Sequence, residues 1–368
     1  MIEYVEARNA ELNVIGILDT AQSVIWHSVY YGVGDFQIFI RLRDVIQIVA
    51  DMQYITRPDN DEVGVIESIL IEDDSENGKM LTISGRFAKS LLDRRIIYTL
   101  SGTSNKATIL RGHVEANVRS LVNAHAIITA RTLGIIELGA EAGIDKIIVD
   151  ENGAAAEKQV SYQNLLEYTD EVLKEYGLAS KVKLGGNKLQ YIVYEGADRS
   201  ADNTVGNQSI VFSKEHDNLL SSEYMRDTSL EKTVALIGGE GEGIDRFCVL
   251  IGTKRGLARK EVFVDASSIS KTYKDGNDVE KTYTDEEYKS VLKAHGRQVL
   301  SAQTVVEDFN GAIDITHGNW KYGIDVFLGD IVTVQDNDIG VFKNVRLGEV
   351  TEFQDQDGYS VEVVYQGE

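Results

Sequence analysis

One glycine-rich segment, Gly238–Gly243, has a composition that could serve nucleotide binding. Glycine-rich loops hold phosphates through their backbone N–H groups, and the known versions have fixed spacings. This segment reads Gly-Gly-Glu-Gly-Glu-Gly, so it has neither the G-x-G-x-x-G order nor the lysine of a P-loop. Its two glutamates would also repel phosphate. We therefore predict a flexible turn between strands at 233–238 and 246–252, and no bound cofactor.

Metal-ligating and nucleophilic side chains are sparse. The six histidines lie at least 12 residues apart, so no His-x-x-x-His pair can form on one helix face. The one cysteine, Cys248, lies in the apolar run Phe247–Ile251, where a thiol packs as a small hydrophobe. No G-x-S-x-G elbow is present. We predict isolated surface or strand histidines, a core cysteine, no metal site and no catalytic residue.

Paired carboxylates are abundant, because the chain has 59 Asp and Glu residues. Three groups could be built into a glycosidase or calcium site: Asp73-Asp74, Glu286-Glu287 and Asp336/Asp338. The segment 336–340 lacks the spacing and the closing glutamate of an EF-hand loop. The separation of ~5–9.5 Å between glycosidase carboxylates is set by the fold and not by local sequence. We predict that all three groups are solvated turns.

Basic residues are concentrated in one short segment of this acidic chain, namely Arg86, Lys89, Arg94 and Arg95. The spacing of Phe87, Leu91 and Leu92 predicts a helix here. The last two basic residues follow its end, where exposed carbonyl groups favour cations. Charge complementarity fixes register at interfaces, so we predict that these four residues form a subunit interface with an acidic neighbour.

The first hundred residues are typical of β structure. Short runs rich in β-branched and aromatic residues, such as Val24–Trp26 and Phe36–Ile40, are separated by glycine and aspartate. Asn77-Gly78 predicts a tight hairpin between strands at 63–71 and 80–83. Near the other end of the chain, Asp357-Gly358 predicts a similar hairpin.

The middle of the chain predicts helices mixed with strands. Amphipathic spacing predicts a helix over 107–124. A second helix is expected from about Ser161 to Tyr176, because Gly177 suits the position after a helix end. A capping box that begins at Thr284 predicts a third helix through about Leu300.

The two hairpins form a weak internal repeat. Residues 66–85 and 347–367 each read as a strand, an acidic turn, a strand and a glycine. The pattern favours two similar β units with an α/β segment between them. Coincidence between unrelated hairpins is the alternative that the pattern alone leaves open.

Composition excludes several classes of protein. The net charge of −22 opposes contact with phosphate backbones and with anionic membrane surfaces, so neither ordinary nucleic-acid binding nor membrane attachment is expected. One cysteine excludes a disulfide framework, and one proline excludes proline-rich linkers. No targeting segment and no run of about 18 apolar residues is present, so we expect no membrane anchor.

Several short segments follow one another in a characteristic order along nearly the whole chain. They are Trp26–Tyr31, Gly34–Ile38, Ser84–Arg86 with Leu91–Ile97, Glu195–Ser200, Phe212–Leu219, Gly238–Gly241 and Leu328–Val332. Each segment is short, but their joint order resembles the tail-hub (Tal-type) family of long-tailed phages and prophages.

The resemblance implies the baseplate-hub fold. This fold is α+β and mainly β, with two related β-barrel domains and α/β insertion segments. The implied domains are a first barrel at 1–98, an α/β insert at 99–206, a second barrel at 207–252 plus 305–368, and a second insert with a helix at 253–304.

The resemblance also implies a structural, non-enzymatic virion protein at the tail tip, assembled in the host cytoplasm. Three copies would form a ring that joins a sixfold tail tube to a threefold tip. The implied partners are the other two copies, distal tail or tail-tube proteins, the tape-measure protein, and tip or fibre proteins. DNA would pass through the ring during ejection without specific binding.

Two alternatives remain open at this point. A cell-wall glycan hydrolase or glycan-binding β module would need a carboxylate pair beside clustered aromatic residues, whereas the 17 tyrosines are scattered through strand patterns. The same hub could also serve a contractile particle, which the gene neighbourhood would distinguish.

Overall fold

The computed structural model describes residues 2–74, 78–101, 104–106, 108–149, 153–274, 280–313, 320–338 and 340–367. These residues form a mainly β structure with a few helices, which confirms the predicted α+β class. The chain divides into two compact units, Met1–Glu223 with Phe309–Glu368, and Tyr224–Asp308. None of the described helices is long and apolar enough to cross a membrane.

Most strands are short. The first eight are β1 (Glu6–Arg8), β2 (Val14–Ile17), β3 (Ser23–Val29), β4 (Asp35–Arg41), β5 (Tyr54–Arg57), β6 (Asn60–Val65), β7 (Ser68–Asp74) and β8 (Gly78–Arg86). The next nine are β9 (Thr99–Ser101), β10 (Ser104–Lys106), β11 (Thr108–Arg111), β12 (Ile136–Leu138), β13 (Glu157–Val160), β14 (Ala179–Gly185), β15 (Lys188–Tyr194), β16 (Val211–Ser213) and β17 (Leu219–Asp227).

The remaining strands are β18 (Val234–Gly238), β19 (Cys248–Ile251), β20 (Glu261–Asp265), β21 (Thr272–Lys274), β22 (Glu280–Thr282), β23 (Val306–Ile313), β24 (Ile331–Asp336), β25 (Val341–Asp355) and β26 (Gly358–Gly367). The α-helices are α1 (Leu42–Val45), α2 (Val114–Val122), α3 (Leu165–Glu175) and α4 (Asp285–Ala302). A π-helical turn spans Asn123–Ile127, and 3-10 turns span Ala88–Arg94, Thr129–Arg131, Lys214–His216, Gly243–Asp245 and Gly256–Ala258.

Two large sheets form the first unit. A seven-stranded sheet has the order β12-β15-β14-β6-β5-β1-β2, and β12 is parallel to its neighbour. A ten-stranded sheet has the order β17-β23-β26-β25-β3-β4-β8-β7, with β24 beside β25 and β16 beside β24. The β25 strand is long enough to pair with β24 at one end and with β3 at the other.

Alternating side chains bury one face of the ten-stranded sheet. Trp26 on β3 and Ile38 on β4 are fully buried and belong to one apolar cluster with Ala7 on β1 and Ile55 on β5 of the seven-stranded sheet. The ring of Trp26 lies 4.8 Å from that of Phe87. Side chains that alternate along β3 and β4 therefore form the core between the two sheets, as the period-two pattern of the sequence predicts.

Both predicted hairpins are present. Asp74 pairs with Gly78 at the end of β7 and β8, and the intervening residues 75–77 lie outside the described part of the chain. Asp355 pairs with Gly358 at the end of β25 and β26. The two hairpins flank the β3–β4 pair in the same sheet. The division into two related barrels, with its boundaries at residues 98, 207, 252 and 305, stays a prediction.

The helix predicted over 107–124 is partly wrong. Residues Thr108–Arg111 form β11, which pairs with β13, and the helix begins at Val114. Leu110 is buried on strand β11 and not on the helix. Its distance in sequence from the apolar residues of α2 happens to match the helical period, so spacing alone could not distinguish the two structures. The other two helices are confirmed. Asn164 caps α3 through its side chain, Gly177 follows it at φ +68°, and Thr284 and Glu287 form the predicted capping box of α4.

The second unit is a small α/β layer. Its three strands have the order β19-β18-β20, with β20 parallel to β18. Helix α4 covers one face of this sheet, where Tyr288 and Leu292 pack with Ala235 and Ile237. A separate hairpin joins β21 to β22.

Candidate functional site

A cleft of about 810 Å³ lies in the first unit. It is lined by the β5–β6 turn, by the end of β15 and by strands β25 and β26, together with residues 322–330. Ser28, Glu195–Ala197 and Leu328, which belong to the segments singled out in the sequence, all contribute to its lining. The cleft is therefore the place where segments that are distant in sequence meet.

A buried cation forms the base of this cleft. The guanidinium of Arg57 donates two hydrogen bonds to the Glu352 carboxylate, at 2.9 and 3.0 Å, and two to Asp59, at 3.0 and 2.6 Å. It also lies 5.2 Å from the centre of the Trp26 ring. The Tyr359 hydroxyl donates to Glu352 at 2.6 Å. Burial works to lower the pKa of Arg57, but the two carboxylates outweigh it and raise the pKa.

One carboxylate of the cleft has a different environment. Glu62 on β6 accepts a 2.5 Å hydrogen bond from the hydroxyl of Ser28 on β3, and it forms no ion pair within the described residues. Desolvation raises the pKa of Glu62 to about 7, and the Ser28 hydrogen bond and Lys181 only partly oppose this effect. The Glu62 carboxyl group is therefore expected to change its protonation state near neutral pH.

The segment after β15 is fixed to the segment before β24 by one aspartate. The buried carboxylate of Asp330 accepts hydrogen bonds from the Ala197 amide at 2.8 Å, from Arg199 Nε at 2.9 Å and from the Phe327 amide at 3.0 Å. The donors from Ala197 and Arg199 connect the two segments, and the donor from Phe327 fixes the turn in which Asp330 itself lies.

Two glycines allow the same segments to approach closely. A Cβ atom on Gly196 would lie 1.8 Å from the Gly329 carbonyl oxygen, and Gly329 itself has φ +92°. The Tyr30 hydroxyl accepts from the Gly196 amide and donates to the Gly177 carbonyl, both at 3.1 Å. Arg346 donates to the Gly329 carbonyl at 2.7 Å. The close contact at this junction explains why glycine occurs in both the Glu195–Ser200 and the Leu328–Val332 segments.

The glycine cluster of the second unit is a turn, as predicted. Arg246 donates to the carbonyl groups of Gly238 and Gly239, at 3.0 and 3.2 Å. A Cβ on Gly239 would lie 2.6 Å from the Tyr288 hydroxyl and 2.8 Å from Leu292. Glycine is required here because the turn packs directly against α4.

Among the histidines, His27 has two acidic partners. Its ring nitrogens lie 3.1 Å from Asp35 and 3.0 Å from Glu349, on neighbouring strands of the ten-stranded sheet. Burial works to lower the pKa of His27, but both carboxylates act against it and the pKa is raised. Within the described residues, no group of three or more His, Cys, Asp or Glu side chains could hold a metal ion.

The prediction of a core cysteine is wrong. Cys248 is exposed, as is Leu250, while Val249 between them is buried. Strand β19 belongs to a sheet that α4 covers on one face, so alternate residues of an apolar run point away from the core.

The solvated-turn prediction is also wrong in part, because Asp73 and Asp74 end strand β7, Glu286 and Glu287 lie in the first turn of α4, and Asp336 ends strand β24 and is buried. Asp336 is only 2% exposed, lies 3.1 Å from Lys214 Nζ and accepts from the Asp338 amide at 3.0 Å. A turn aspartate can bend back onto its own backbone, which lets it be buried without losing hydrogen bonds. Ile339 of this loop lies outside the described part of the chain. Glu286 and Glu287 are exposed at the start of α4, where Glu287 serves the capping box.

The four basic residues predicted at a subunit interface differ in their surroundings. Arg86 is partly exposed and pairs with Glu67 at 2.8 Å and with Asp93 at 3.4 Å. Lys89 is buried and pairs with Asp170 at 3.0 Å. Arg95 donates to the Arg131 carbonyl at 2.8 Å. Arg94 is exposed at the end of the 3-10 turn, and its side chain forms no hydrogen bond or ion pair with other described residues.

Comparison with known proteins identifies the family. The chain matches the family described as "Siphovirus ReqiPepy6 Gp37-like protein" over residues 4–365. The chain belongs to this family. The resemblance to phage tail proteins inferred from the order of the segments is thereby confirmed. No curated protein sequence matches the chain.

Three of the solved structures that are similar in fold to this chain are described as tail proteins. A tail protein from Neisseria meningitidis MC58 has 12% identity and a TM-score of 0.58, with 99% of this chain and 96% of that chain covered. The 43 kDa tail protein of prophage MuSo2 from Shewanella oneidensis has 10% identity and a TM-score of 0.59, with 99% and 98% covered. Prophage tail protein gp18 from Listeria monocytogenes EGD-e has 11% identity and a TM-score of 0.52, with 100% and 94% covered.

The central residues of the cleft were not predicted from the sequence. Arg57 and Glu352 are 295 positions apart, so no local spacing relates them. The sequence did indicate that Arg57 would need a partner. This arginine follows the apolar and β-branched residues Ile55 and Thr56, and a cation in a buried strand is almost always paired. The Asp330 junction had a clearer signal in the two glycine-containing segments themselves.

Proposed function

We propose that this chain is the hub of a phage tail tip, a trimeric ring that adapts a sixfold tail tube to a threefold tip. The observation that supports this most directly is the family match over residues 4–365, together with whole-length likeness in fold to phage tail proteins. A cell-wall glycan hydrolase or glycan-binding module is not favoured by these comparisons. The proposed role is structural and non-enzymatic, with the chain as a component of the virion.

The charge of the chain supports a channel role for such a ring. A net charge of −22 opposes the approach of DNA phosphates, and protein–DNA affinity depends largely on cations that neutralise phosphates. We propose that the ring lines a path for DNA, with the tape-measure protein, distal tail or tail-tube proteins and tip or fibre proteins as neighbours.

Electron microscopy of assembled tails tests the hub proposal. A peptide tag in the exposed segment around Val205 (68% exposed), labelled with an antibody, should mark the tail tip in three copies. Tails assembled without this chain should lack an attached tip. Labelling along the tail tube, or a single copy per assembled tail, would overturn the proposal. Zymography on host cell walls provides a separate test, since a clearing zone would favour the hydrolase.

We also propose that the basic residues Arg86, Lys89, Arg94 and Arg95 mark a subunit interface, with Arg94 as its accessible cation. The other three side chains already have partners inside the chain. Arg94→Glu should therefore reduce incorporation into tails without lowering the stability of the free chain. Arg255→Glu is a matched control, since Arg255 is also exposed without a hydrogen bond or ion pair to other described residues, but lies in the second unit, before the 3-10 turn Gly256–Ala258. Equal incorporation of both variants would contradict this placement.

A further inference from the structure

The cleft of the first unit has an unbalanced set of charges. Six carboxylates and three cations line it. Each cation is already engaged: Arg57 with Asp59 and Glu352, Lys181 with Asp61 at 2.7 Å, and Arg199 with Asp330 at 2.9 Å. Within the described residues, Glu62 accepts a hydrogen bond from the Ser28 hydroxyl but forms no ion pair. The cleft therefore has an acidic group available for a cation from outside.

The walls of the cleft suit the stem of a long side chain. Tyr194, Tyr322 and Tyr359 line its interior, and aromatic faces attract cations as well as apolar groups. Among the lining residues, Ile324 is 70% exposed and Phe327 is 44% exposed, so two large apolar side chains are open to solvent. Lysine and arginine combine an apolar stem with a charged head, which is the combination that such walls accept.

We propose that this cleft binds a basic side chain, arginine or lysine, of a neighbouring polypeptide, with its charged head at the Glu62 carboxylate. The apolar stem would lie against Ile324 and Phe327. That the neighbour is another tail protein rests on the proposed function, whereas the binding chemistry of the cleft does not.

Ionisation of Glu62 gives the proposal a pH dependence. The charged groups that act on Glu62 are Lys181, Asp61 and Lys89, and the titratable hydroxyls nearby are those of Tyr194 and Tyr322. Together with desolvation they leave the pKa of Glu62 at about 7. A cation binds the ionised carboxylate, so affinity should rise from about pH 6 to about pH 8 and binding below neutral pH should release a proton.

The test uses the full chain and two short peptides. Acetyl-Gly-Arg-Gly-amide supplies the cation, and the same peptide with citrulline in place of arginine keeps the shape without the charge. Calorimetry with peptide up to about 10 mM covers the range expected for one weak contact. We expect the arginine peptide to bind, the citrulline peptide to bind at least about tenfold more weakly, and the affinity to rise with pH.

Two variants separate the cleft from the rest of the surface. Glu62→Gln removes the charge with little change in shape, and should weaken binding of the arginine peptide about tenfold or more and abolish its pH dependence. Glu167→Gln makes the same change on the exposed start of α3 and should leave binding unchanged. Equal binding by Glu62→Gln, equal binding of the two peptides, or no binding at about 10 mM would overturn the proposal. None of these results bears on whether the chain is a tail hub, which is tested in assembled tails.

Discussion

At the scale of single residues, Arg57 shows how the cleft is held together. Its side chain is 1% exposed and that of Glu352 is 6% exposed, while Asp59 reaches the solvent. A buried pair of this kind costs much desolvation and contributes little net stability, but loss of one partner leaves a buried charge uncompensated. The pair therefore fixes the position of β5 relative to β25 more than it stabilises the fold.

Arg57→Met is expected to lower the free energy of unfolding by about 3–5 kcal/mol, because Glu352 stays buried without its cation. Urea unfolding measures this loss. The double variant Arg57→Met with Glu352→Leu should recover much of it, since both charges are then removed. Arg111→Met, which breaks an exposed pair with Glu157, should cost at most about 1 kcal/mol. A loss for Arg57→Met as small as for Arg111→Met would show that water reaches the pair.

His27 makes stability depend on pH. The pKa of His27 is raised in the folded chain by Asp35 and Glu349, so the folded state holds the proton more tightly than the unfolded state. The stabilisation is fully present below about pH 6.5 and is lost as pH rises through the raised pKa. We expect native protein to exceed His27→Gln in unfolding free energy at about pH 6, and the difference to shrink at about pH 9. Urea titrations of both proteins at the two pH values measure it, and a difference independent of pH would contradict the assignment.

Residue types predicted local features well and distant pairs poorly. The capping box at Thr284 and the turn at Asp357-Gly358 depend on neighbours in sequence, and both are present. The Arg57–Glu352 pair joins β5 and β25, two strands of different sheets that lie far apart in sequence. Hydrogen bonds that span 295 positions leave no periodic trace in a single sequence.

At the scale of elements, strand β19 shows that apolar composition does not determine which face of a strand is buried. The run from Phe247 to Ile251 reads as a fully buried strand. In the structure α4 covers one face only, and Leu236, Leu250 and Phe263 of three adjacent strands are exposed on the other. Whether one face or both faces of a strand are buried depends on the number of layers in the unit, and the sequence of one strand does not contain that information.

Cys248 provides a direct measurement of this face. Because its side chain is exposed, we expect the folded protein to react with a disulfide reagent such as Ellman's at a rate close to that of a free thiol, with one thiol per chain. Cys248→Ser should show no reaction. If the thiol of the native protein reacts only after a denaturant is added, then Cys248 faces the core and β19 presents its opposite face to α4.

At the scale of the whole molecule, sequence order was more informative than any single motif. Segments such as Glu195–Ser200 and Leu328–Val332 are too short to identify a fold, but both meet at Asp330 and Gly329. The pair is informative because this junction needs both segments at once. The boundaries of the two predicted barrels were harder to place. Strand β25 lies in the predicted second barrel, but it pairs with β3 of the predicted first barrel as well as with β24 and β26.

The charge excess of the whole chain leads to a final prediction. With a net charge of −22, repulsion between carboxylates destabilises the compact state, and added salt screens it. Salt also weakens exposed ion pairs, but each contributes only about 0–1 kcal/mol, and the buried Arg57–Glu352 pair is screened much less. Repulsion should therefore dominate, and Tm should rise by a few degrees between about 20 mM and about 300 mM NaCl.

Differential scanning calorimetry at neutral pH measures this shift, and KCl should reproduce it because screening depends on ionic strength and not on the identity of the cation. Sulfate is unsuitable, since it stabilises folded proteins through exclusion from their surface. A fall in Tm with NaCl would mean that the acidic residues are locally neutralised by ion pairs. In that case the acidic surface proposed to let DNA pass would not carry a strong field, and the channel would need another explanation.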